Sequence, residues 1–327
     1  MSFAMKKIGV FTSGGDSPGM NACIRAVVRT AHHHDVEVVG ILEGYKGILN
    51  NQFRELKNYD VAGIINRGGT ILRSSRCPEF LEPEYRKRAF MNLQKEGIEG
   101  LIAIGGNGTF TGALVFEKEF GIPTIGVPGT IDNDLYGTDY TIGFDTACNT
   151  VVQALDAIRD TATSHNRLFI VEVMGRDAGH IAVNSCIAGG AEAVLLPEEE
   201  KDLPELMQYL NEKRKKKIFS SIIVVAEGDQ VGGAVQLNNI IKEKYPHYDS
   251  RVTILGHVQR GGSPTYLDRM LASRLGMSSV EALLNGERNQ AVGLVNGEVV
   301  LSSFKDSITK SKNIHSDLLK MSHILVA

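Results

Sequence analysis

Short apolar runs alternate with longer amphipathic segments along most of the chain. Apolar runs bounded by turn residues are typical of buried strands, and apolar positions three and four apart are typical of helices. Strands are predicted at 7–12, 37–42, 101–104, 124–127, 167–174, 193–196, 222–226 and 252–255. Helices are predicted at 21–29, 83–96, 109–119, 145–161, 203–217 and 266–284, with two more ending near 188 and following 233, and a less regular tail after 284.

This alternation of strand and helix predicts a mainly parallel α/β fold with helices on both faces of each sheet. A chain of 327 residues exceeds the size of one typical hydrophobic core. We therefore predict two doubly wound, Rossmann-like α/β domains.

Several predicted strands end in glycine-rich loops. Residues 13–19 follow the first strand and 105–109 follow a later one, each before a helix, while 66–70 form another glycine turn with Arg73 and Arg76 after it. The arrangement strand, glycine loop, helix presents backbone N–H groups to a phosphate. The first loop is not a Walker A motif, because Met20 stands where that motif needs lysine, and the second does not match the dinucleotide fingerprint.

The stretch Pro128–Asp134 follows the predicted strand 124–127, so it lies where open α/β sheets bind ligands. In an extended segment Thr130, Asp132 and Asp134 would point to one side, because side chains alternate along a strand. A hydroxyl and two carboxylates facing one point suit proton transfer or metal chemistry. The alternative is an ordinary polar turn.

The later loops carry a different set of side chains, which suits an anionic, hydroxyl-bearing partner such as a sugar phosphate. This set comprises Arg167, Arg176, Glu227, Arg251, His257 and Arg260. The earlier loops, with their glycines and acids, suit a nucleotide and its Mg²⁺. The two loop sets together predict phosphoryl transfer.

The amino-acid composition limits the kinds of molecule that the protein is expected to bind. The apolar share of 43%, the charged share of 22% and the net charge of −3 are those of an ordinary globular protein and favour neither nucleic acid nor an anionic membrane. Cys23, Cys77, Cys148 and Cys186 are widely spaced, which favours reduced thiols and a cytoplasmic location over disulfides or zinc. We expect no membrane span and no signal peptide. The three consecutive histidines 32–34 are interpreted as a solvated helix end.

Five long motifs in order resemble the bacterial ATP-dependent 6-phosphofructokinase family over nearly the whole chain. They are TSGGDSPGMN from Thr12, NRGGT from Asn66, PGTIDND from Pro128, VEVMGR from Val171 and GHVQRGGSP from Gly256. The resemblance implies a homotetrameric glycolytic enzyme that transfers the γ-phosphoryl group of ATP to the 1-hydroxyl of fructose 6-phosphate, with Mg²⁺ as cofactor.

The resemblance also implies roles for individual residues. Asp132 would accept the proton of the sugar hydroxyl, Thr130 and Arg176 would address the transferring phosphoryl group, and Asp134 would support the metal indirectly. The implied ATP-site residues are Gly15, Arg76, Cys77, Gly106, Asn107, Gly108 and Thr109. The implied fructose 6-phosphate residues are Thr130, Asp132, Met174, Gly175, Arg176, Glu227, His257 and Arg260, with Arg167 and Arg251 reaching the sugar from a neighbouring subunit.

The family's domain organisation implies an ATP-binding domain of residues 1–142 and 258–304 and a fructose 6-phosphate-binding domain of residues 143–257 and 305–327, with the active site in the cleft between them. ADP or phosphoenolpyruvate would act as allosteric effectors between subunits. The implied effector residues are Arg25, Arg29, Asn58, Arg159, Glu192, Lys216 and Lys217.

The sequence departs from the family pattern at Asn107, because the family loop GGDG reads GGNG here. Asparagine keeps an oxygen for a hard cation but removes one negative charge. An active ATP-dependent enzyme is the first hypothesis, and a silent effector-binding paralogue is the second. A pyrophosphate-dependent enzyme is the third, and Gly108 and Gly129 speak against it, since those relatives carry aspartate and lysine there. At the effector site, Asn58 stands where some members have arginine.

Overall fold

The computed structural model describes residues 5–199, 202–216 and 220–325. The strands are β1 Lys7–Thr12, β2 Glu37–Ile41, β3 Phe53–Glu55, β4 Gly100–Gly105, β5 Thr124–Pro128, β6 Leu168–Val173, β7 Ala193–Leu195, β8 Ser221–Ala226, β9 Ser250–Ile254, β10 Gln290–Val295 and β11 Glu298–Ser303. The helices are α1 Met20–His33, α2 Tyr45–Leu49, α3 Pro83–Glu96, α4 Asn107–Phe120, α5 Phe144–His165, α6 His180–Gly189, α7 Asp202–Lys215, α8 Gly233–Lys244, α9 Tyr266–Leu284, α10 Phe304–Thr309 and α11 Ser316–Leu325, with 3₁₀ helices at Pro78–Leu81 and Gly256–Arg260.

The chain divides into two compact units. Unit 1 contains the residues up to Thr130, Leu135–Asp145 and Arg260–Lys312, and unit 2 contains Ile131–Asp134, Thr146–Gln259 and the residues from Asn313 onward. Unit 1 extends past residue 304 because α10 packs on it, with Phe304 stacked on Phe110 of α4. The assignment of ATP to one part of the chain and of the sugar phosphate to the other stays a prediction.

Unit 1 is built on a seven-stranded sheet in the order β11-β10-β5-β4-β1-β2-β3. The four central strands β5, β4, β1 and β2 are parallel. Alternate residues of β4 enter different clusters: Ile102 and Ile104 pack with α1 and α9, whereas Leu101 and Ala103 pack with α2 and α3. Both faces of the sheet are therefore buried, as a doubly wound fold requires.

Unit 2 is built on a four-stranded parallel sheet in the order β7-β8-β6-β9. Leu168 and Ile170 of β6 pack with Ile223 of β8 and with apolar residues of α7 and α8. The mainly parallel α/β class predicted from the apolar pattern is confirmed. Within the described ranges, no helix is both long enough and apolar enough to cross a membrane.

The prediction of a less regular tail after residue 284 was wrong. Residues 290–303 form the antiparallel hairpin β10–β11, and β10 joins the sheet beside β5. Asn296 and Gly297 make its turn, both with positive φ. Asn-Gly between two β-branched runs is a strong hairpin signal, so the sequence carried the information.

A buried ion pair joins α3 to α4 in unit 1. Arg86 is only 7% exposed and donates from Nε and Nη2 to the two carboxylate oxygens of Glu119, at 2.6 Å each. Its Nη1 donates to the carbonyl oxygens of Phe80 and Leu81 in the 3₁₀ helix. One guanidinium thus holds the 3₁₀ helix that follows Arg76 and Cys77 against the two helices.

We expect Glu119→Gln to lower the free energy of unfolding by about 1–3 kcal/mol at neutral pH, because the charge-assisted bonds from Arg86 weaken. Arg86 holds the pKa of Glu119 below its ordinary value of 4.5, mainly through the side-chain hydrogen bond. The stabilisation is therefore present above pH 4.5 and is lost as the pH falls below that value.

Thermal unfolding at neutral and at acidic pH tests this prediction. The difference in Tm between wild type and Glu119→Gln should shrink on acidification, while Asp156→Asn, at an exposed position in the middle of α5, should unfold like wild type at both pH values. A difference in Tm that does not change with pH would contradict the ionic origin of the stabilisation.

Candidate active site

Three glycine loops meet at one edge of the sheet of unit 1. The strands β5, β4 and β1 are adjacent and parallel, so their carboxyl ends share an edge. The backbone N–H of Ser13 donates to Ile104 O at 3.0 Å, and that of Gly129 donates to Gly105 O at 3.0 Å. The Thr109 hydroxyl donates to Ser13 O at 3.2 Å. The loops after the three strands are thus held together by direct hydrogen bonds.

The first turn of α4 lies at the centre of this edge. Asn107 is its first residue, and the cap residue Gly106 supplies no side-chain acceptor. Only glycine fits at Gly105, because a Cβ there would lie 2.3 Å from Oγ1 of Thr109 and 2.5 Å from Ser13 O. Gly108 differs, since a Cβ there meets no atom within 4 Å. A helix that begins with N–H groups lacking a side-chain cap suits a bound phosphate.

The loop at residues 66–76 lies against the same edge. Asn21 is buried, and its Nδ2 donates to Arg67 O and Gly68 O at 3.1 Å each, while its Oδ1 accepts from Ile71 N at 2.7 Å. The hydroxyl of Ser74 donates to Gly14 O. The loop that carries Arg76 is therefore fixed to the β1 loop, although sequence reasoning assigned no role to Asn21.

Arg260, from the later part of the chain that belongs to unit 1, also contacts the loop after β1. Its Nη1 donates to Asp16 O at 3.1 Å, and a Cβ on Gly15 would lie 2.4 Å from that nitrogen. Arg76 is exposed, Cys77 is partly buried, and burial raises the pKa of the Cys77 thiol. Unit 1 thus brings together the loops that carry all seven implied ATP-site residues.

The stretch 128–134 is a bent segment, as in the polar-turn alternative, and not an extended one. Pro128 ends β5, Gly129 forms an isolated bridge with Ile142, and the chain bends at 131–132. Asn133 has φ +54, a left-handed conformation that asparagine tolerates better than most residues. Simple strand alternation of Thr130, Asp132 and Asp134 was therefore wrong.

Thr130 and Asp132 are nevertheless both buried, each 8% exposed. In unit 1 the carbonyl oxygen of Thr130 accepts from the Thr141 hydroxyl at 2.6 Å. A methyl group on Gly106 would lie 3.8 Å from Cβ of Thr130. Thr130 therefore lies next to the glycine loop that precedes α4. Residues Ile131–Asp134 group with unit 2.

In unit 2 a second group forms after the carboxyl ends of β6 and β8. The Glu227 carboxylate accepts from the backbone N–H groups of Gly175, at 3.3 Å, and Arg176, at 2.7 Å. Arg176 has φ +58, so this turn is held in a strained, left-handed conformation. Glu227 stabilises that turn directly.

Gln259 connects this turn to the segment that carries His257. It is fully buried, its Oε1 accepts from Met174 N at 3.2 Å, and its Nε2 donates to Gly256 O at 3.0 Å. Sequence reasoning missed Gln259, although its place between His257 and Arg260 in the last motif was a signal. Met174, Gly175, Arg176 and Glu227 are brought together, with exposed His257 on the linked segment.

Arg167 and Arg251 do not join them, which corrects the grouping of all later charged residues at one strand edge. Arg167 precedes β6, and Arg251 is the second residue of β9 and pairs with Phe169. Because β6 and β9 are parallel, both arginines lie at the amino ends of the strands. Met174 follows the other end of the six-residue strand β6, roughly 20 Å away at about 3.3 Å per residue.

The implied effector residues fall into separate groups. Arg29 and Asn58 line an open depression of about 450 Å³ in unit 1, together with His32 and His33 at the end of α1. Arg25 lies one helical turn from Arg29, and its pKa is lowered by burial and by the charge of Arg29. Lys216 is exposed, and Lys217 lies outside the described residues.

Arg159 and Glu192, in unit 2, are paired with each other. Nη1 of Arg159 donates to Glu192 Oε1 at 2.9 Å and its Nη2 donates to Gly189 O at 2.9 Å. Oε2 of Glu192 accepts from Ile222 N at 2.6 Å. In this structure the two residues join α5 to α6 and β8.

Over the part of the chain that the structure describes, no group of three or more His, Cys, Asp or Glu is arranged to hold a metal ion. Mg²⁺ seldom uses such a cage: it takes one or two protein oxygens and completes its shell with phosphate oxygens and waters. Asn107 offers such an oxygen in unit 1, and Asp134 offers one in unit 2. Each of these residues by itself suits a magnesium ion whose other ligands come from phosphate and water.

Two mainly parallel α/β units with glycine loops at their strand ends define a nucleotide-binding class of α/β protein. The chain belongs to the phosphofructokinase family, since the family model described as Phosphofructokinase matches residues 7–283. The family membership predicted from the five motifs is confirmed.

Individual relatives agree with this assignment. ATP-dependent 6-phosphofructokinase of Cytophaga hutchinsonii is 56% identical over 321 residues, covering 98% of each chain. ATP-dependent 6-phosphofructokinase 1 of Thermus thermophilus is also 56% identical, covering 98% of this chain and 99% of its own. The structure of phosphofructokinase from Saccharomyces cerevisiae matches with a TM-score of 0.86 at 36% identity, over 93% of this chain and 45% of the yeast chain. The chain thus spans less than half the length of that yeast chain.

Proposed function

We propose that the protein transfers the γ-phosphoryl group of ATP to the 1-hydroxyl of fructose 6-phosphate, giving fructose 1,6-bisphosphate and ADP. The observation that carries this proposal is the junction of three glycine loops beside Thr130, in a chain 56% identical over nearly its whole length to a named ATP-dependent 6-phosphofructokinase. Phosphoryl transfer depends mainly on positioning and on charge stabilisation, which such loops provide.

The nucleotide binds to unit 1 with its phosphates over the first turn of α4. Gly106, Gly108 and the backbone around Gly15 allow the phosphates to approach closely, and Thr109 supports the turn through its bond to Ser13 O. Arg76 supplies positive charge from the loop that Asn21 fixes, and Cys77 borders it. The uncapped helix start favours an anion at this position.

Asp132 accepts the proton of the 1-hydroxyl while that oxygen attacks the γ-phosphorus. The new bond joins the sugar oxygen to phosphorus, the bond from phosphorus to the β,γ-bridging oxygen breaks, and its electron pair leaves with ADP. Thr130 and Arg176 donate hydrogen bonds to the transferring group. Burial of Asp132 and Thr130 supports these roles, because charge interactions strengthen when water is excluded.

Mg²⁺ bound with ATP would neutralise charge that develops on the transferring phosphoryl group. Asn107 would offer a carbonyl oxygen at the start of α4, and Asp134 would act through bound water. The described residues offer few such ligands, so the nucleotide would have to supply most of the coordination.

Fructose 6-phosphate binds to unit 2. Met174, Gly175 and Glu227 form the turn that receives the sugar, and His257 comes from the last motif. Arg260 belongs to unit 1 and contacts Asp16 there, so its role as a sugar-phosphate ligand stays a prediction. Arg167 and Arg251 lie at the amino ends of their strands, so they serve a sugar phosphate bound by a second copy of the chain. This arrangement supports a homotetramer in which two subunits share each site.

The depression lined by Arg29, His32, His33 and Asn58 is the proposed effector site for ADP or phosphoenolpyruvate. Arg25, one helical turn from Arg29, would add charge to it, whereas Lys216 lies in unit 2 and stays a predicted effector residue. Arg159 and Glu192 already bind each other, so an effector that uses either residue must compete with that pair.

A coupled assay with fructose 6-phosphate and Mg²⁺, supplied with ATP or pyrophosphate in turn, tests the proposal. We expect turnover with ATP alone. Turnover with pyrophosphate but not with ATP would show that pyrophosphate is the phosphoryl donor. If neither donor supports turnover while effector binding is retained, the protein is a silent effector-binding subunit.

We expect Asn107→Asp to lower the Mg²⁺ concentration needed for half-maximal activity and to raise kcat, each by about three- to tenfold. The added carboxylate strengthens the attraction for a divalent ion at a partly buried site. An acid at the first position of α4 also suits the helix dipole, so the fold should be retained.

Mg²⁺ titrations of activity at saturating ATP and fructose 6-phosphate, for wild type and Asn107→Asp, measure the effect. Asn107→Gln is the control, because it keeps the carbonyl oxygen and adds no charge. Identical Mg²⁺ dependence in wild type and Asn107→Asp would exclude this side chain from the metal site.

A further inference from the structure

The carboxylate of Asp249 lies between Arg167 and Arg251. Oδ2 accepts from Arg167 Nε at 2.7 Å, and Oδ1 accepts from Arg251 Nη1 at 2.5 Å. The hydrogen bond from Arg167 and the charges of both arginines hold the pKa of Asp249 below its ordinary value, so Asp249 is ionised at neutral pH. One carboxylate thus pairs with two guanidiniums.

The backbone fixes these three residues in place. Leu168 N donates to Asp249 O at 3.2 Å, and Leu168 pairs with Ser250 between β6 and β9. Asp249 immediately precedes β9 and Arg251 is the second residue of that strand, and their side chains are in direct contact. Ser250 between them is buried, and its hydroxyl donates to Asn238 Oδ1 at 2.6 Å. The trio therefore stands on a rigid support.

The chemistry of the trio suits a phosphate dianion. Guanidinium pairs bind phosphate through several parallel N–H bonds, but two adjacent arginines repel each other and retain much rotamer freedom when nothing holds them. Each guanidinium has five N–H donors, so the contacts with Asp249 leave most of them for another anion. All three side chains are between 30% and 48% exposed, so an anion can reach them.

We propose that Asp249 is a positioning residue that holds Arg167 and Arg251 side by side as a clamp for the sugar phosphate bound in a second copy of the chain. This inference rests on the proposed function. It adds a residue to the substrate site that touches the arginines and not the sugar.

Asp249→Asn tests the inference. The two arginines would lose their shared anion and would have to be ordered by the substrate itself, so we expect the KM for fructose 6-phosphate to rise about three- to tenfold. The kcat at saturating substrate should fall less than twofold, and the KM for ATP should not change, because the interaction affects substrate binding and not the transition state alone. Asp249→Glu, which keeps the charge, should restore most of the affinity.

Two comparisons separate positioning from general structure. Asp306→Asn removes an exposed acid paired with Lys310 in unit 1 and should leave both KM values unchanged. In an Arg251→Ala background, Asp249→Asn should raise the KM for fructose 6-phosphate by clearly less than it does in wild type, since part of the clamp is already lost.

An unchanged KM for fructose 6-phosphate in Asp249→Asn would overturn the proposal, and a lowered KM would show that Asp249 instead competes with the phosphate. Fully additive effects of Asp249→Asn and Arg251→Ala would overturn it too. Calorimetric titration measures the affinity of wild type and Asp249→Asn for fructose 6-phosphate and does not depend on catalysis. A wild type that binds the sugar phosphate but does not phosphorylate it would therefore refute the proposed function while leaving the role of Asp249 measurable; a wild type that does not bind it refutes both.

Discussion

Replacing Asp132 with asparagine is expected to lower kcat by about two to four decades, the usual range for a lost general base. Asparagine has nearly the same shape but cannot accept the proton of the 1-hydroxyl. Asp132 is 8% exposed, so the substitution removes a buried carboxylate and not a solvated surface charge. Fructose 6-phosphate binding should remain nearly intact.

Steady-state kinetics and calorimetric binding of fructose 6-phosphate measure the two effects separately. Asp134→Asn is the matched control, because it removes a carboxylate two residues away; with an indirect role it should lower kcat by about one decade. A near-normal kcat in Asp132→Asn would remove this residue from the base role. Equal losses in both variants would indicate that the segment supplies negative charge and not a specific proton acceptor.

Replacing Gly108 with aspartate is expected to lower kcat/KM for ATP about a hundredfold or more. Like charges brought together in a binding site cost several kcal/mol, and a carboxylate at the first turn of α4 would face the ATP phosphates. Gly108 is exposed, and a Cβ at this position meets no atom within 4 Å. The loss should therefore come from the ligand and not from the fold.

Gly108→Ala provides the control, because it adds only the Cβ in open space and should keep most of the activity with ATP. We do not expect Gly108→Asp alone to create pyrophosphate-dependent turnover. Gly129 is crowded, with an added Cβ 3.0 Å from Ile104 and 3.2 Å from Met20, so lysine cannot enter there without rearrangement. Wild-type kinetics with ATP in Gly108→Asp would mean that the phosphates do not approach this residue.

The fold class and the positions of most strands along the chain followed from local sequence patterns. Buried strands such as β4 and β8 consist of uninterrupted apolar runs, and the glycine loops after β1 and β4 interrupt the pattern sharply. These features depend on residues close together in the chain, so composition and spacing predict them well. Motif resemblance, which uses the same local information, was sufficient to identify the family.

Features that depend on contacts between distant parts of the chain were harder to predict from the sequence. The hairpin β10–β11 was missed although Asn296-Gly297 signals its turn, because its strands are partly exposed and their apolar pattern is weak. The bend at Asn133 was one of two conformations that the sequence left open, since the same residues can form a strand or a turn until neighbouring strands restrain them.

The site shows the same division. The sequence by itself determined which residue types follow the strands: glycines and acids early, arginines and a histidine later. Only the tertiary structure decided which of them meet, because parallel pairing sends strand starts and strand ends to opposite edges of a sheet. Arg167 and Arg251 were thereby separated from Glu227, and Asp249, to which the sequence analysis assigned no role, was brought between them by the pairing of β6 with β9.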